Sequence, residues 1–238
     1  MTRGAVLASL LALSCAGSTP PQEDAGAHPA ADALKACAAL RTPAEVATIF
    51  SAVERFNAMP APRNPACFVA GLPRPVDAVA TISVLSAQPA AGRESPRVFL
   101  LLPGLVVSVV PDGDGASLVE FAEWTSSTRT LKGELKFPMP DAGFAPDAAL
   151  TRVHSSFGVT TCGLCHRNEA PHPTIDGGFV SDAFRPDPGT LVPLHEVAAQ
   201  HAACGEDAGP RCEMLHALFD FGPVRQGAFA DEVDLFVR

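Results

Sequence analysis

The chain has 238 residues and a formal net charge of −9, and its shortage of basic residues already restricts its function. Lysine occurs only three times, at Lys35, Lys132 and Lys136, and no basic stripe is present. A surface that binds nucleic acid needs such a stripe, so the sequence excludes nucleic acid as a partner. A protein that docks by charge should therefore be basic or neutral where it touches this chain.

Long apolar runs and familiar catalytic motifs are also missing. Beyond the first residues, no segment reaches the 18 unbroken apolar residues of a membrane-spanning helix, and Pro103-Gly104 divides Val98 to Val110 into strands. The sequence contains no G-x-G-x-x-G, G-x-S-x-G or H-E-x-x-H run and no internal repeat. The usual signatures of dinucleotide binding, serine hydrolysis and zinc proteolysis are thus excluded.

The first residues predict export. Arg3 begins a short apolar segment, so residues 1–14 are interpreted as a signal peptide. The run Leu11 to Cys15 resembles a bacterial lipoprotein signal, in which Cys15 is lipidated and anchors the protein to a membrane. An ordinary secretory cut after Ala12-Leu13-Ser14 is the alternative. The small, proline-containing residues 15–31 predict a flexible tether.

The remaining pattern predicts an α+β protein with two domains. Residues 32–137 predict an antiparallel, β-rich domain behind one leading helix, which begins at Thr42. Residues 138–145 predict a linker, and residues 146–238 predict a small all-α domain. The expected strands are 66–70, 76–86, 97–102, 105–110, 117–124 and 128–137, and the expected later helices are 146–157, 192–204, 210–219 and 228–237.

The most specific motif is Cys162-Gly163-Leu164-Cys165-His166, a C-x-x-C-H run. Two cysteines at this spacing can add to the two vinyl groups of a haem, and the following histidine can ligate the iron. We therefore predict haem c, attached at Cys162 and Cys165, with His166 as proximal ligand. The alternatives are a redox pair or disulfide, and a zinc site that uses Cys162, Cys165 and either His166 or His172.

This motif and its surroundings resemble a c-type cytochrome domain over residues 146–238, set in a bacterial secreted lipoprotein. The resemblance implies a compact helical domain around the haem and a redox partner protein. The lysine ring with which some cytochromes c dock their partners is absent here. Several apolar side chains are expected to form the haem pocket: Leu164, Ile175, Phe179, Phe184, Leu215, Leu218 and Phe219.

The chain has seven cysteines. If Cys15 carries lipid and the two motif cysteines carry haem, four cysteines remain to form disulfides. These four fall as Cys37 with Cys67 and Cys204 with Cys212, and each pair lies within one predicted domain. An oxidising compartment outside the cytoplasm would let both disulfides form.

The second axial ligand of the iron determines the chemistry, and the sequence leaves it open. Met214 lies 48 residues after His166, a suitable distance, but inside a predicted helix, and His172 lies in a rigid Pro-His-Pro segment. One function is one-electron transfer through a single haem. The alternative haem function is a sensor or weak peroxidase with an open site, and the non-haem alternatives are those given above. With one motif and no catalytic constellation, we predict an electron carrier or haem-binding protein rather than an enzyme.

Overall fold

The computed structural model describes residues 29–40, 46–155, 157–205 and 209–236. The predicted signal peptide, Cys15 and the predicted helix start at Thr42 lie outside these residues. Six α-helices occur in the described part of the chain: α1 Pro29–Ala39, α2 Ile49–Ala58, α3 Pro65–Ala70, α4 Ala148–Arg152, α5 Leu194–Cys204 and α6 Pro210–Phe219. None of these six is long and apolar enough to cross a bilayer.

The centre of the fold is a nine-stranded sheet. Its strands are β1 Val76–Thr81, β2 Arg97–Leu102, β3 Leu105–Val109, β4 Leu118–Trp124, β5 Arg129–Lys136, β6 Ala170–Pro171, β7 Phe179–Asp182, β9 Leu191–Val192 and β10 Val224–Gln226. Strands β1 to β5 form an antiparallel meander, and the order is β10-β1-β2-β3-β4-β5-β7-β6, with β9 also paired to β1. Two further strands, β8 Phe184–Arg185 and β11 Asp234–Leu235, pair in parallel.

The meander divides its side chains between two faces, because successive residues of a strand point to opposite sides. On one face, Leu100, Val107, Phe121 and Leu131 are buried in a single apolar core. Each of the six helices contributes side chains to this core. Helices α2 and α4 pack on this face, and α1, α3 and α6 contact one another. Side chains on the other face of the meander lie outside this core, so polar residues can occupy that face.

The predicted all-α cytochrome c-like domain over residues 146–238 is wrong. Strands β6, β7, β9 and β10 all lie in this region, and all of them join the large sheet. The protein is a mixed α/β fold dominated by that sheet, which takes strands from both sides of the predicted linker at residues 138–145.

The element predictions fail where capping or distant pairing decides the structure. Residues 66–70 form α3 rather than a strand, because Asn64 caps the helix by accepting a 2.8 Å hydrogen bond from Cys67 N. Helix α2 begins at Ile49, where Thr48 and Ser51 form a reciprocal capping box. The helix predicted at 146–157 covers only Ala148–Arg152. No helix forms within the described residues 228–236, which contain β11 instead.

Candidate functional site

The C-x-x-C-H motif forms one wall of a cleft on the polar face of the sheet, which we call the motif cleft. It is open to solvent on one side, with a cavity volume of about 80 Å³, and continues into an adjoining hollow of about 120 Å³. These volumes suit a small ligand, and a group as large as a haem would extend beyond the cleft into solvent. The sheet side chains that line it include Arg97, Phe99, Ser108, Glu120, Lys132 and Glu134, and the opposite wall includes Cys162, His166 and Phe184.

The motif folds as a single tight turn. Cys165 N donates to Cys162 O at 3.1 Å and His166 N donates to the same oxygen at 2.8 Å. Cys162 is half-buried and Cys165 is exposed, and both are free thiols. Burial raises the pKa of the Cys162 thiol to about 11, with a further contribution from Glu120. Cys162 is therefore protonated at neutral pH.

The imidazole of His166 is held in one orientation. Its Nδ1 lies 2.7 Å from the backbone carbonyl of Asp182, and its ring stacks on Phe184 with the ring centres 5.2 Å apart. Burial lowers the pKa of His166 to about 3, and the positive charge of Lys132 adds to this effect. A neutral ring that donates through Nδ1 keeps its lone pair on Nε2, the form in which histidine binds a metal.

Glu169 fixes the entrance to the motif turn. Its carboxylate accepts hydrogen bonds from Thr160 N at 2.8 Å and from Thr160 Oγ1, and that hydroxyl oxygen accepts from Gly163 N at 3.2 Å. A Cβ at Gly163 would stand 2.8 Å from the same carboxylate, so a larger residue there would displace the Glu169 side chain from Thr160. The motif is thus supported by a buried threonine and one carboxylate.

The sheet wall of the motif cleft is charged. The Arg97 guanidinium bonds Glu120 and donates to Ser108 Oγ at 3.0 and 3.2 Å. Lys132 is 5% exposed and donates to Thr130 Oγ1 at 2.6 Å. Burial lowers the pKa of Lys132 to about 8.

A second carboxylate lies beside these groups. Glu134 stands directly across from Glu120 on the neighbouring strand, and its Oε1 accepts from Arg152 Nε at 2.9 Å. Burial raises the pKa of Glu134, and the bond from Arg152 opposes that rise. The sheet wall of the motif cleft therefore carries two basic side chains and two acidic side chains, and His166 lies on the opposite wall.

Neither predicted sixth ligand lines the motif cleft. Met214 is buried in the core on α6 and is 4% exposed. His172 lies in a separate surface loop, where its Nδ1 accepts from Thr174 N at 3.2 Å and from Ile175 N at 3.0 Å. The structure brings Cys162, Cys165 and His166 together and leaves both candidates elsewhere.

The other four described cysteines are paired as expected. The structure contains the disulfides Cys37–Cys67, which links α1 to α3, and Cys204–Cys212, which links α5 to α6. These bonds favour an oxidising compartment. The predicted lipid site Cys15 lies outside the described residues.

The sequence reasoning missed the charged wall. Its signal was present in β5, where Thr130, Lys132 and Glu134 alternate with Leu131 and Leu135. These side chains lie near Arg97 and Glu120 because β4 pairs with β5 and because β2, β3, β4 and β5 are neighbours in the sheet. No local sequence pattern shows this arrangement.

A covalently attached haem fits the residues of this site. Two unpaired thiols and a neutral imidazole with a free Nε2 are the groups that such a cofactor needs. Cys162 and His166 line one wall of the open cleft, and Cys165 lines the adjoining hollow. Leu164, which lies between the two cysteines and is 83% exposed, leaves apolar surface beside the thiols.

Comparison with known proteins gives no further guide to the function. No family model, no curated protein and no solved structure matches this chain. The function must therefore be argued from the motif and the cleft.

Proposed function

We propose that this protein is an extracytoplasmic haem c protein that binds a small ligand at an open iron site. Haem is attached through Cys162 and Cys165 and is ligated by His166. The observation that carries the proposal is the hydrogen bond from His166 Nδ1 to Asp182 O, which leaves Nε2 available at the cleft wall beside two free thiols. Haem supplies a redox-active iron with a coordination position for a ligand.

Residues of the sheet fix the orientation of the His166 imidazole. The carbonyl of Asp182 is fixed because β7 pairs with β5, where Asp182 lies opposite Arg129. Asp182 N also bonds Arg167 O at 3.0 Å, directly after the motif. The sheet therefore sets the position of the imidazole, and His166 does not depend on a flexible loop for its orientation.

The opposite wall favours an open site. Met214 and His172 are both away from the cleft, whereas Arg97, Glu120 and Lys132 line it. Buried cationic donors can hydrogen-bond and stabilise a polar or anionic ligand, and Glu134, whose pKa is raised by burial, can exchange protons with it. This favours binding of a small polar molecule over storage of an electron alone.

Electron transfer to a partner protein is the second candidate, and the exposed rim of the motif favours it. Cys165 is exposed, and the neighbouring Leu164 presents apolar surface beside it. A cofactor attached there would have an edge close to solvent, where a partner with a neutral or basic contact surface can approach.

The test is to produce the full chain together with a haem-attachment system. Mass spectrometry should find haem that survives denaturation, and a pyridine haemochrome spectrum should show two thioether bonds. His166→Ala should retain the attached haem but change its spectrum, whereas the control His154→Ala should not, because His154 bonds Gly177 O outside the cleft. Cys162 and Cys165 found free, oxidised to each other or bound to zinc would refute the haem proposal.

The same preparation separates the two candidate functions. An open site predicts that the reduced protein binds carbon monoxide readily and that neither Met214→Leu nor His172→Ala changes the spectrum. A protein that resists carbon monoxide and loses its low-spin spectrum in one of these variants would be a six-coordinate electron carrier instead.

Lipid anchoring at Cys15 belongs to the same proposal. Cys15→Ala should release the protein from the membrane fraction if the cysteine carries lipid. Unchanged retention in that fraction would argue against the anchor without affecting the haem proposal.

A further inference from the structure

Two histidines and an aspartate converge on the surface of the helix pair α5–α6, away from the motif cleft. His201 Nε2 lies 2.7 Å from Asp220 Oδ1, and His216 Nδ1 lies 2.9 Å from Asp220 Oδ2. The candidate ligand atoms of all three residues lie within 4.8 Å of one another. The two histidine side chains are 23% exposed and that of Asp220 is 42% exposed, so the cluster is shielded yet open to solvent on one side.

We propose that His201, His216 and Asp220 bind one divalent transition-metal ion of the zinc class. Two imidazoles and one carboxylate are a ligand set that zinc accepts in three-ligand sites, where a water molecule takes the fourth position. Calcium and magnesium prefer sites made entirely of oxygen ligands and are disfavoured here.

The local structure holds the three side chains in place. Asp220 is the C-cap of α6 and lies four residues after His216, so the two share one helix face. His201 lies on α5 and reaches the same carboxylate across the helix pair. The disulfide Cys204–Cys212 joins the two helices three residues after His201 and four before His216. A binding ion would replace the two bonds to Asp220 after each imidazole moves its proton to its other nitrogen.

The experiment measures Zn²⁺ binding by calorimetry to the full chain carrying Cys162→Ala and Cys165→Ala, which removes the thiols that also bind zinc. We expect one Zn²⁺ per chain. His201→Gln and Asp220→Asn should each weaken binding at least tenfold, because each removes one of three ligands. The matched control is His195→Gln, since His195 is an exposed histidine on α5 outside the cluster.

Co²⁺ provides the second readout, because its visible spectrum reports the number and type of ligands. The expected spectrum is that of a four-coordinate site with nitrogen and oxygen ligands, and it should disappear in His216→Gln. Equal Zn²⁺ affinity in the parent and in folded His201→Gln and Asp220→Asn, or equal weakening by His195→Gln, would overturn the proposal. The site shares no residue with the motif cleft, so this result does not depend on the proposed haem function.

Discussion

Removing the carboxylate of Glu169 should loosen the motif turn without disturbing the rest of the fold. Glu169 accepts hydrogen bonds from both the backbone and the side chain of Thr160, which is 0% exposed. A hydrogen bond to a charged group contributes about 1.5–3 kcal/mol, and the lower end applies because Glu169 is only half-buried. We expect Glu169→Ala to lower the local stability of this turn by about 2 kcal/mol. Glu169→Gln should lose about half as much, because it keeps one acceptor oxygen.

Hydrogen exchange at the Thr160 amide measures this loss directly. A change of about 2 kcal/mol corresponds to roughly thirtyfold faster exchange, since 1.4 kcal/mol is a factor of ten. Asp176→Asn is the control, because Asp176 is an exposed carboxylate in the next loop. If Thr160 exchanges at the parent rate in Glu169→Ala, the carboxylate does not support the turn and the argument fails. The measurement needs no haem, and a lower haem-attached fraction in Glu169→Ala would be an additional consequence.

Two further predictions concern stability. Loops of 30 and 8 residues are closed by Cys37–Cys67 and Cys204–Cys212, so chain entropy gives about 3.6 and about 2.5 kcal/mol for the two disulfides. Paired Cys→Ala variants, compared by chemical denaturation, should lose free energy of unfolding in that order, and the reverse order would contradict the entropic argument. In a chain carrying Cys162→Ala and Cys165→Ala, the free energy of unfolding should rise with pH up to about pH 10.5, and the rise should begin at or below about pH 8, because Cys162 no longer raises the pKa of Lys132. Folding lowers the pKa of Lys132 from 10.5 to about 8, so the unfolded state keeps this proton to a higher pH than the folded state does. Burial of the charged lysine destabilises the folded state by up to about 3 kcal/mol, and this cost disappears as the lysine loses its charge. Lys132→Met should flatten this pH dependence, and a slope that persists in the variant would assign it to another group.

The sequence predicted the meander well because each of its strands carries its own signals. The strand expected at 97–102 is observed as Arg97–Leu102, and that expected at 117–124 is observed as Leu118–Trp124. These strands are apolar or alternating and are separated by Pro103-Gly104 and by the glycines near Asp112. Helix α6 was also predicted with its observed bounds, since Pro210 suits the first turn of a helix.

The second half of the chain was predicted poorly because its strands are two to four residues long. Such segments have too little periodicity to reveal a strand, and they form because a distant partner is already present. Phe179–Asp182 pairs with residues 129–131 on β5, and Val224–Gln226 pairs in parallel with β1. The resemblance of the motif to a cytochrome c domain then favoured helices where the sheet in fact continues.

The error in the fold also changes the argument about function. The expectation of an electron carrier relied on the single haem motif and the lack of a catalytic constellation, and also on an apolar haem pocket that included Leu164, Leu215 and Leu218. In the structure Leu164 is 83% exposed, whereas Leu215 and Leu218 are buried in the helical core. Of the seven expected pocket residues, only Phe184 lines the motif cleft, together with charged side chains from the sheet. Burying those charges costs free energy, as the lowered pKa of Lys132 shows. A site that recognises a polar ligand would recover part of that cost through the hydrogen bonds it makes, and for this reason we propose ligand binding rather than electron transfer alone.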